Sequence, residues 1–479
     1  MFKYKIHFLI ALALFIIVGC KTTQLSTDAI NKSLPKNYVS GADSSSAKIA
    51  NWREVFFDSN LVSLIDTALK YNYDLKLALQ KVEIARAGIK FNKGVRLPEL
   101  GANVYAGQRK FGDYTMDGVG NYDTQFSPNI NDKQQIPNPL PDYYVGFQAS
   151  WEIDLWGKLK NKKKSAAGKF IASQYGKDLI ITNLIAEVAG TYFELLALDN
   201  EAQILADNIE LQQTAVELLL AQKEAGKATE LGVEMMKAQL LSSKAIQVEV
   251  QQKLVETECK LNFLCGAYPK EIKRDTGYFS QHLQTKFDVS IPSDLVKNRP
   301  DICQAEFELR ASNADVKSAQ AAFYPSLNIT AALGLQSFNA MLLMETPASM
   351  AYNVLGGLTS PLLNRRRLKA DLMASKAGQK QAYINYEKTV VNSFKEVFVA
   401  LSNIQNTKTI FDLKKEEVSI LKKSVATSSE LFTAGRASYL EIITSQKNML
   451  QAQIELITFY KRQNIALIDL YRAIGGGWK

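Results

Sequence analysis

Histidine is almost absent from this chain. There are two in 479 residues, and only His282 lies beyond the N-terminal leader. Cysteine is scarce as well: Cys20, Cys259, Cys265 and Cys303 are the whole set, and they form no CxxC pair and no Cys/His metal spacing. No nucleophile motif accompanies His282. Without a clustered acid/base or metal set at a recognisable spacing, an envelope enzyme is the least supported function class, and no cofactor is expected. Cys259, Cys265 and Cys303 read as small buried hydrophobes, the first two on one predicted helix. Long apolar runs are missing too. The one N-terminal run, Phe8 to Val18, is too short to span a bilayer as a mature helix. Proline is missing from two tracts, between Pro141 and Pro269 and after Pro361, which leaves room for very long helices.

The N-terminus reads as an address. Lys3 and Lys5 precede the apolar run, which ends in Ile17-Val18-Gly19-Cys20, so residues 1–19 are expected to be a signal peptide. The last four residues resemble a bacterial lipobox, and Cys20 is then the lipidated first residue of the mature chain; the alternative is a cysteine that merely follows the leader. Residues 20–51 are rich in Ser, Thr, Asn, Asp and Lys and read as a lipid-anchored tether. The net charge of +9 would suit nucleic acid, but an exported protein meets none in the cytoplasm, so no nucleic-acid partner is expected.

What the chain does contain is a repeat of itself. At one constant offset Asp74 falls on Asp301, Ala78 on Ala305, Ala87 on Ala314, Pro98 on Pro325, Leu100 on Leu327 and Gly107 on Gly334. At a second, shorter offset Lys158-Leu159-Lys160 falls on Arg367-Leu368-Lys369, Glu187-Val188 on Glu396-Val397, AGKATEL at 225–231 on AGRASYL at 434–440, and Gly266 on Gly475. The half-repeats are 64–266 and 291–475. The first is longer, and its extra residues fall between the strand after Pro98 and the basic run at Lys158. One body over 52–479, made of two pseudo-symmetric halves, is the expectation.

Each half has the same plan. Helical spacing covers Asn60–Lys70 and Tyr73–Gly94, ended by Arg96-Leu97-Pro98. Then comes strict alternation: Leu100, Ala102, Val104 and Ala106 on one face, Gly101, Asn103, Tyr105 and Gly107 on the other. Residues 113–141 read as a long irregular loop, followed by a second strand in which Tyr143, Val145, Phe147, Ala149 and Trp151 share a face. The second half repeats the pair, so strands occupy about 99–152 and 326–360. Strands of about ten residues with one apolar and one small or polar face are the transmembrane β-barrel pattern, and a soluble sandwich gives the same alternation. Four strands cannot close a barrel and open edges are not tolerated in lipid, so if these strands enter a membrane several chains must share one barrel.

Beyond the strands the helical hairpins span about 158–265 and 365–474. The helix from Lys158 to about Glu224 would be on the order of 100 Å long at about 1.5 Å per residue, which implies coiled-coil packing with Leu184, Ile185, Val188, Tyr192, Leu195 and Leu196 on its seams. Each long helix stops at a glycine, Gly226 or Gly435, and reverses. A bare turn needs no function, but two equivalent turns at the far ends of such hairpins are well placed for docking. The basic runs Lys158–Lys164 and Arg365–Lys369 sit just past the strands. They read either as solvated helix starts or as contacts with anionic headgroups at the inner face of the outer membrane.

The segments IVGC at 17–20, WEIDLWGKLK at 151–160, SDLVKNRPDI at 293–302, AAFYPSL at 321–327 and LFTAGRASYLEIITSQ at 431–446 together resemble the TolC family of outer-membrane efflux proteins, in its lipid-anchored drug-efflux branch. The resemblance covers essentially the whole mature chain. It implies a mainly α fold with a membrane β part and no catalysis. It also implies a homotrimer, in which three chains share one twelve-stranded β-barrel and a long α-helical periplasmic barrel. The expected partners are outer-membrane lipid, a periplasmic adaptor and an inner-membrane pump. The adaptor would meet the tips, at Gly226, Lys227, Gly435 and Arg436. The pore gate would fall at Leu440, Glu441 and Thr444, where Leu440 matches the family's apolar position and Thr444 replaces an aspartate of some relatives; the alternative for Leu440 is a packed core leucine. A non-transporting lipoprotein scaffold and a duct for type I protein secretion are the competing functions, and cargo is not legible.

Overall fold

The computed structural model describes residues 51–275, 298–361, 363 and 365–478. The signal peptide, Cys20, nearly all of the tether, His282 and residues 291–297 of the second half-repeat lie outside the described residues. Helices α1 (Trp52–Val55), α2 (Ser59–Tyr71) and α3 (Tyr73–Gly94) lead into strand β1 (Glu99–Arg109). Helix α4 (Met116–Thr124) and a short 3-10 turn (Asp132–Gln134) precede β2 (Leu140–Ile153). The first hairpin is α5 (Lys158–Glu224) and α6 (Glu230–Leu264). The second half runs α7 (Pro300–Ala321), β3 (Ser326–Ser337), β4 (Met350–Thr359), α8 (Arg365–Thr433) and α9 (Tyr439–Ala473). The two long helices have 67 and 69 residues and their return helices 35 each, so the halves match in length to within a turn.

Helix starts follow from local chemistry. Asp58 and Asn72 accept hydrogen bonds from Asn60 N (2.8 Å) and Leu75 N (3.0 Å), capping α2 and α3. Pro300 opens α7 with Asp301 in the first turn. Helix α5 begins at Gly157, which has no side chain to cap with, and carries five lysines in its first seven residues, the wrong charge for a helix N-terminus. Asp154 compensates: its carboxylate accepts from Leu159 N (3.0 Å) and Lys160 N (2.6 Å).

The four strands form one antiparallel sheet in chain order. The register sets Leu100 opposite Ala149, Val104 opposite Val145, Phe147 opposite Leu333 and Leu333 opposite Tyr352, so one face is apolar from edge to edge. The other face pairs Asn103 with Gly146, Gly146 with Gly334, Gln148 with Ala332 and Asn328 with Gly357. Apolar side chains on the first face are bare of protein: Leu100, Val104, Val354 and Leu358 are each about 70% exposed or more.

The main core lies where α1 and α2 cover α5. Trp52, Phe56, Leu61 and Ile65 pack on Ile185, Val188, Tyr192, Leu195 and Leu196 with Leu261, Leu264 and Tyr471. All six predicted seam residues of α5 are buried. At about 1.5–3 kcal/mol per large side chain buried, this cluster is the main anchor of the hairpins. Inside it the Tyr192 hydroxyl donates to Asp58 at 2.6 Å, and burial together with that carboxylate pushes the phenol well above its ordinary pKa.

Two expectations are corrected. Residues 113–141 are not wholly irregular: Thr115 caps α4 by accepting from Gly118 N (3.1 Å), a turn-like N-cap hidden among Gly, Asn and Asp. Cys265 does not share α6 with Cys259; it is the capping residue beyond Leu264.

Candidate channel wall, tips and gate

Three regions hold the residues singled out in the sequence. The first is the junction of strands and helices. A cleft of about 1320 Å³ opens there, lined by charges of both signs, among them Glu152, Lys158, Lys162, Asp315, Arg367 and Asp371. Lys158 pairs with Glu152 at 2.5 Å, so part of the basic run is neutralised by the strand it follows. Trp156 stacks on Tyr324 (4.9 Å, 25°) and donates to Pro325 O (2.8 Å), while Trp151 donates to Arg96 O (3.0 Å). These indoles tie strand ends to helix ends at the level where an amphipathic ring suits a membrane boundary.

The second region is the pair of tips. Gly226 (φ +72°) and Gly435 (φ +69°) take the left-handed conformation that a side chain would strain. Each turn closes with two bonds of one pattern: Gly226 N to Lys223 O and Lys227 N to Gln222 O in the first, Gly435 N to Phe432 O and Arg436 N to Leu431 O in the second. Gly226, Lys227, Gly435 and Arg436 are all exposed, and Lys223 pairs with Glu230 across the first turn. Behind the turns one apolar cluster joins both hairpins: Val216, Leu219, Val233 and Met236 with Ile442 and Ile443. The Tyr439 ring lies on Gly232, 3.1 Å from where a Cβ would stand.

The third region is the start of α9. Ile442 and Ile443 face the cluster, and Gln446 and Leu450 continue the same buried stripe, while Leu440 (53% exposed), Glu441 and Thr444 share the opposite, open face. The carboxylate of Glu441 turns back to Ser438, accepting from its backbone N (2.5 Å) and its hydroxyl. Those bonds hold its pKa below the ordinary glutamate value. Glu441 therefore serves the helix N-terminus, a role that Ser438 three residues upstream signals in the sequence.

Sequence reasoning missed the buried ionic knots. Arg299 is 6% exposed; it bonds Asp301 (3.0 and 2.6 Å), Glu396 (2.8 Å) and Ala473 O (2.8 Å). Burial opposes its charge, but the two carboxylates more than offset this and raise its pKa above the ordinary arginine value. Arg274 bonds Asp199 (2.5 and 2.9 Å) and Glu258, and these partners likewise raise its pKa. The RPD step at 299–301 was the available signal for the first; nothing local marks the second. Among the described residues no group of three or more His, Cys, Asp or Glu side chains is placed to hold a metal.

The outer membrane efflux protein family pattern matches residues 64–267 and 291–476. The cation efflux system protein CusC of Escherichia coli O6:H1 is 26% identical over 430 residues, covering 90% of this chain and 89% of its own. The probable outer membrane lipoprotein SilC of Salmonella typhimurium is 25% identical over 481 residues, covering 99% of each. The crystal structure of the Campylobacter jejuni CmeC outer membrane channel superposes with a TM-score of 0.81 at 24% identity, covering 95% of this chain and 94% of that one. A sheet with one bare apolar face, two long helical hairpins and a sequence match spanning both halves lead to one conclusion: the chain belongs to the outer membrane efflux protein family and is an outer-membrane efflux channel.

Proposed function

We propose that three copies of this chain form one passive duct, held in the outer membrane by a shared barrel and by lipid on Cys20, and coupled through its periplasmic tips to an adaptor and an inner-membrane pump. The observation that carries the reading is the sheet's two free edges. β1 and β4 pair on one side only, and edges in hydrocarbon cost several kcal/mol per unsatisfied group. A ring of identical four-stranded sheets removes every edge.

The pseudo-repeat says how neighbours meet. Helix α7 is packed between α8 of its own half and α5 of the other. Its counterpart α3 packs chiefly on α5 and leaves Leu77, Ile84 and Phe91, seven residues apart, 60–72% exposed. In the covered copy Ala311 lies against Gly168, its Cβ 3.0 Å from where a glycine Cβ would stand. The repeat maps Ala311 to Ile84 and Gly168 to Ala377, so Ile84 of one protomer belongs beside Ala377 of the next. With Cys259, Cys265 and Cys303 replaced by alanine, an Ile84→Cys, Ala377→Cys protein is expected to give disulfide-linked trimers on non-reducing gels. Either single variant is expected to remain uncrosslinked. Absence of crosslinking in the double variant would overturn the arrangement.

The tips Gly226, Lys227, Gly435 and Arg436 are the proposed adaptor contacts, and Leu440 with Thr444 the proposed constriction; Glu441 supports it by fixing the start of α9. Leu440→Ala is expected to raise single-channel conductance in planar bilayers. The duct performs no catalysis, and pump and adaptor choose the small-molecule cargo. A non-transporting scaffold would need no sheet with a continuous apolar face.

A further inference from the structure

On the polar face of the sheet two tyrosines stand on adjacent strands. Tyr144 lies along the wall over Gly146 and Gly334, which are paired in register. A Cβ on Gly146 would stand 2.5 Å from the Tyr144 hydroxyl, and one on Gly334 2.8 Å from its Cζ, so glycine at both positions is what lets the ring lie flat. The hydroxyl has no hydrogen-bond partner among the described residues, so packing and not a polar contact seats the ring. Tyr105 stacks on Tyr144 (5.3 Å, 18°) and is 47% exposed.

Asp142 flanks the stack. It accepts from the Tyr105 hydroxyl (3.3 Å) and from Gln336 Nε2 (2.9 Å), and among the described residues it has no cationic partner. Glu152, on the same face at the helical end, is neutralised by Lys158. Arg109 stands at the outer end of this face with its guanidinium over Phe111. An oriented carboxylate with no cation paired to it, beside a part-exposed aromatic stack, is the arrangement that attracts an organic cation through charge and ring quadrupole together.

We propose that Tyr105, Tyr144 and Asp142 form a transit site for flat organic cations on the wall of the duct. The proposal rests on the reading of this face as the lumen, since the opposite face is the apolar one. In a ring of three chains the site recurs three times at one height, in the outer half of the barrel.

The test is a fluorescence titration of ethidium into the purified full-length protein in neutral detergent, with an anionic dye, anilinonaphthalene sulfonate, in parallel. Saturable ethidium binding is expected, weakened about tenfold or more in Asp142→Asn and in Tyr105→Leu, and unchanged in Glu152→Gln. The anionic dye is expected to respond equally in all four proteins. Trimer retention by size-exclusion chromatography qualifies each variant, and Tyr105→Leu decides if Asp142→Asn fails to assemble. Ethidium binding that is absent, or equal across the variants, would overturn the site. Bilayer conductance is read separately: a trimer that binds ethidium yet carries no current would fail the duct reading and leave the cation site standing.

Discussion

The two halves of the chain solve one joint in two ways. At pseudo-equivalent positions stand Asn72 and Arg299, each at the entrance to a short helix. Asn72 donates to Leu264 O (2.9 Å) at the end of α6; Arg299 donates to Ala473 O (2.8 Å) at the end of α9. The carbonyls are pseudo-equivalent too, so both side chains bolt a helix start to the end of a returning helix. The first half does it with a neutral amide. The second does it with a buried cation that also gathers Asp301 and Glu396. The carboxylates exist in both halves, as Asp74 and Glu187, but where no arginine calls them in they turn to water: Asp74 is exposed, and Glu187 pairs with Lys260 at 3.2 Å with both side chains about half exposed. A repeated backbone joint thus tolerates a change of charge when its partners have a second place to go.

The largest effect that would test this contrast is Arg299→Met. It strands Asp301 and Glu396 near a buried joint and is expected to cost about 3–5 kcal/mol, measured by denaturant unfolding of the purified protein. Asn72→Ala removes one buried hydrogen bond and the α3 cap, with an expected cost of about 2 kcal/mol. Equal losses in the two variants would erase the distinction between the joints. Gly226→Ala and Gly435→Ala are each expected to cost about 1 kcal/mol, equally, because both turns share one bonding pattern; unequal losses would break the equivalence of the tips.

The smallest effect concerns acid. Glu441 has a folded pKa below its unfolded value, so its contribution is present above the ordinary glutamate value of 4.5 and is lost as pH falls through the folded value. The first tip caps α6 with the hydroxyl of Thr229, which does not titrate there; acid reaches it only through the exposed Glu230–Lys223 pair. Spin labels at the pseudo-equivalent sites Thr444→Cys and Met235→Cys are expected to show the second tip loosening more below pH 4.5, and Glu441→Gln to abolish that difference.

Much of this was legible in the sequence for physical reasons. Alternation along β1 to β4 is forced by a sheet with different media on its two faces, and proline-free tracts ending at glycine forecast α5 and α8. The six seam residues of α5 were identifiable because a helix in a bundle must bury a stripe. Less was legible where partners are distant in sequence. Arg299 finds Glu396 and Ala473, and Tyr144 finds Gly334, only through the fold. Helix α4 was hidden because its glycines and aspartates have low helix propensity, and the Thr115 cap offsets it. The gate candidates came from the family resemblance alone: Leu440 and Thr444 share an open face, while Glu441 bonds back to Ser438, a pairing that the Ser-x-x-Glu spacing at 438–441 signals.

The length of α5 has a mechanical consequence. Near its middle the helix is clamped by Tyr192, Asp58 and the apolar cluster around them, while its tip at Glu224 lies about 48 Å beyond Tyr192 at about 1.5 Å per residue and is backed by two small apolar clusters. Such a rod is a lever with its pivot at the clamp. A tilt of about 6° there sweeps the tip through about 5 Å on an arm of that length, close to the width of one side chain. In the proposed duct, widening the passage at the tips would then require no unfolding and no new contacts at the clamp; a pull on the turns, transmitted along an unbroken helix, would be enough.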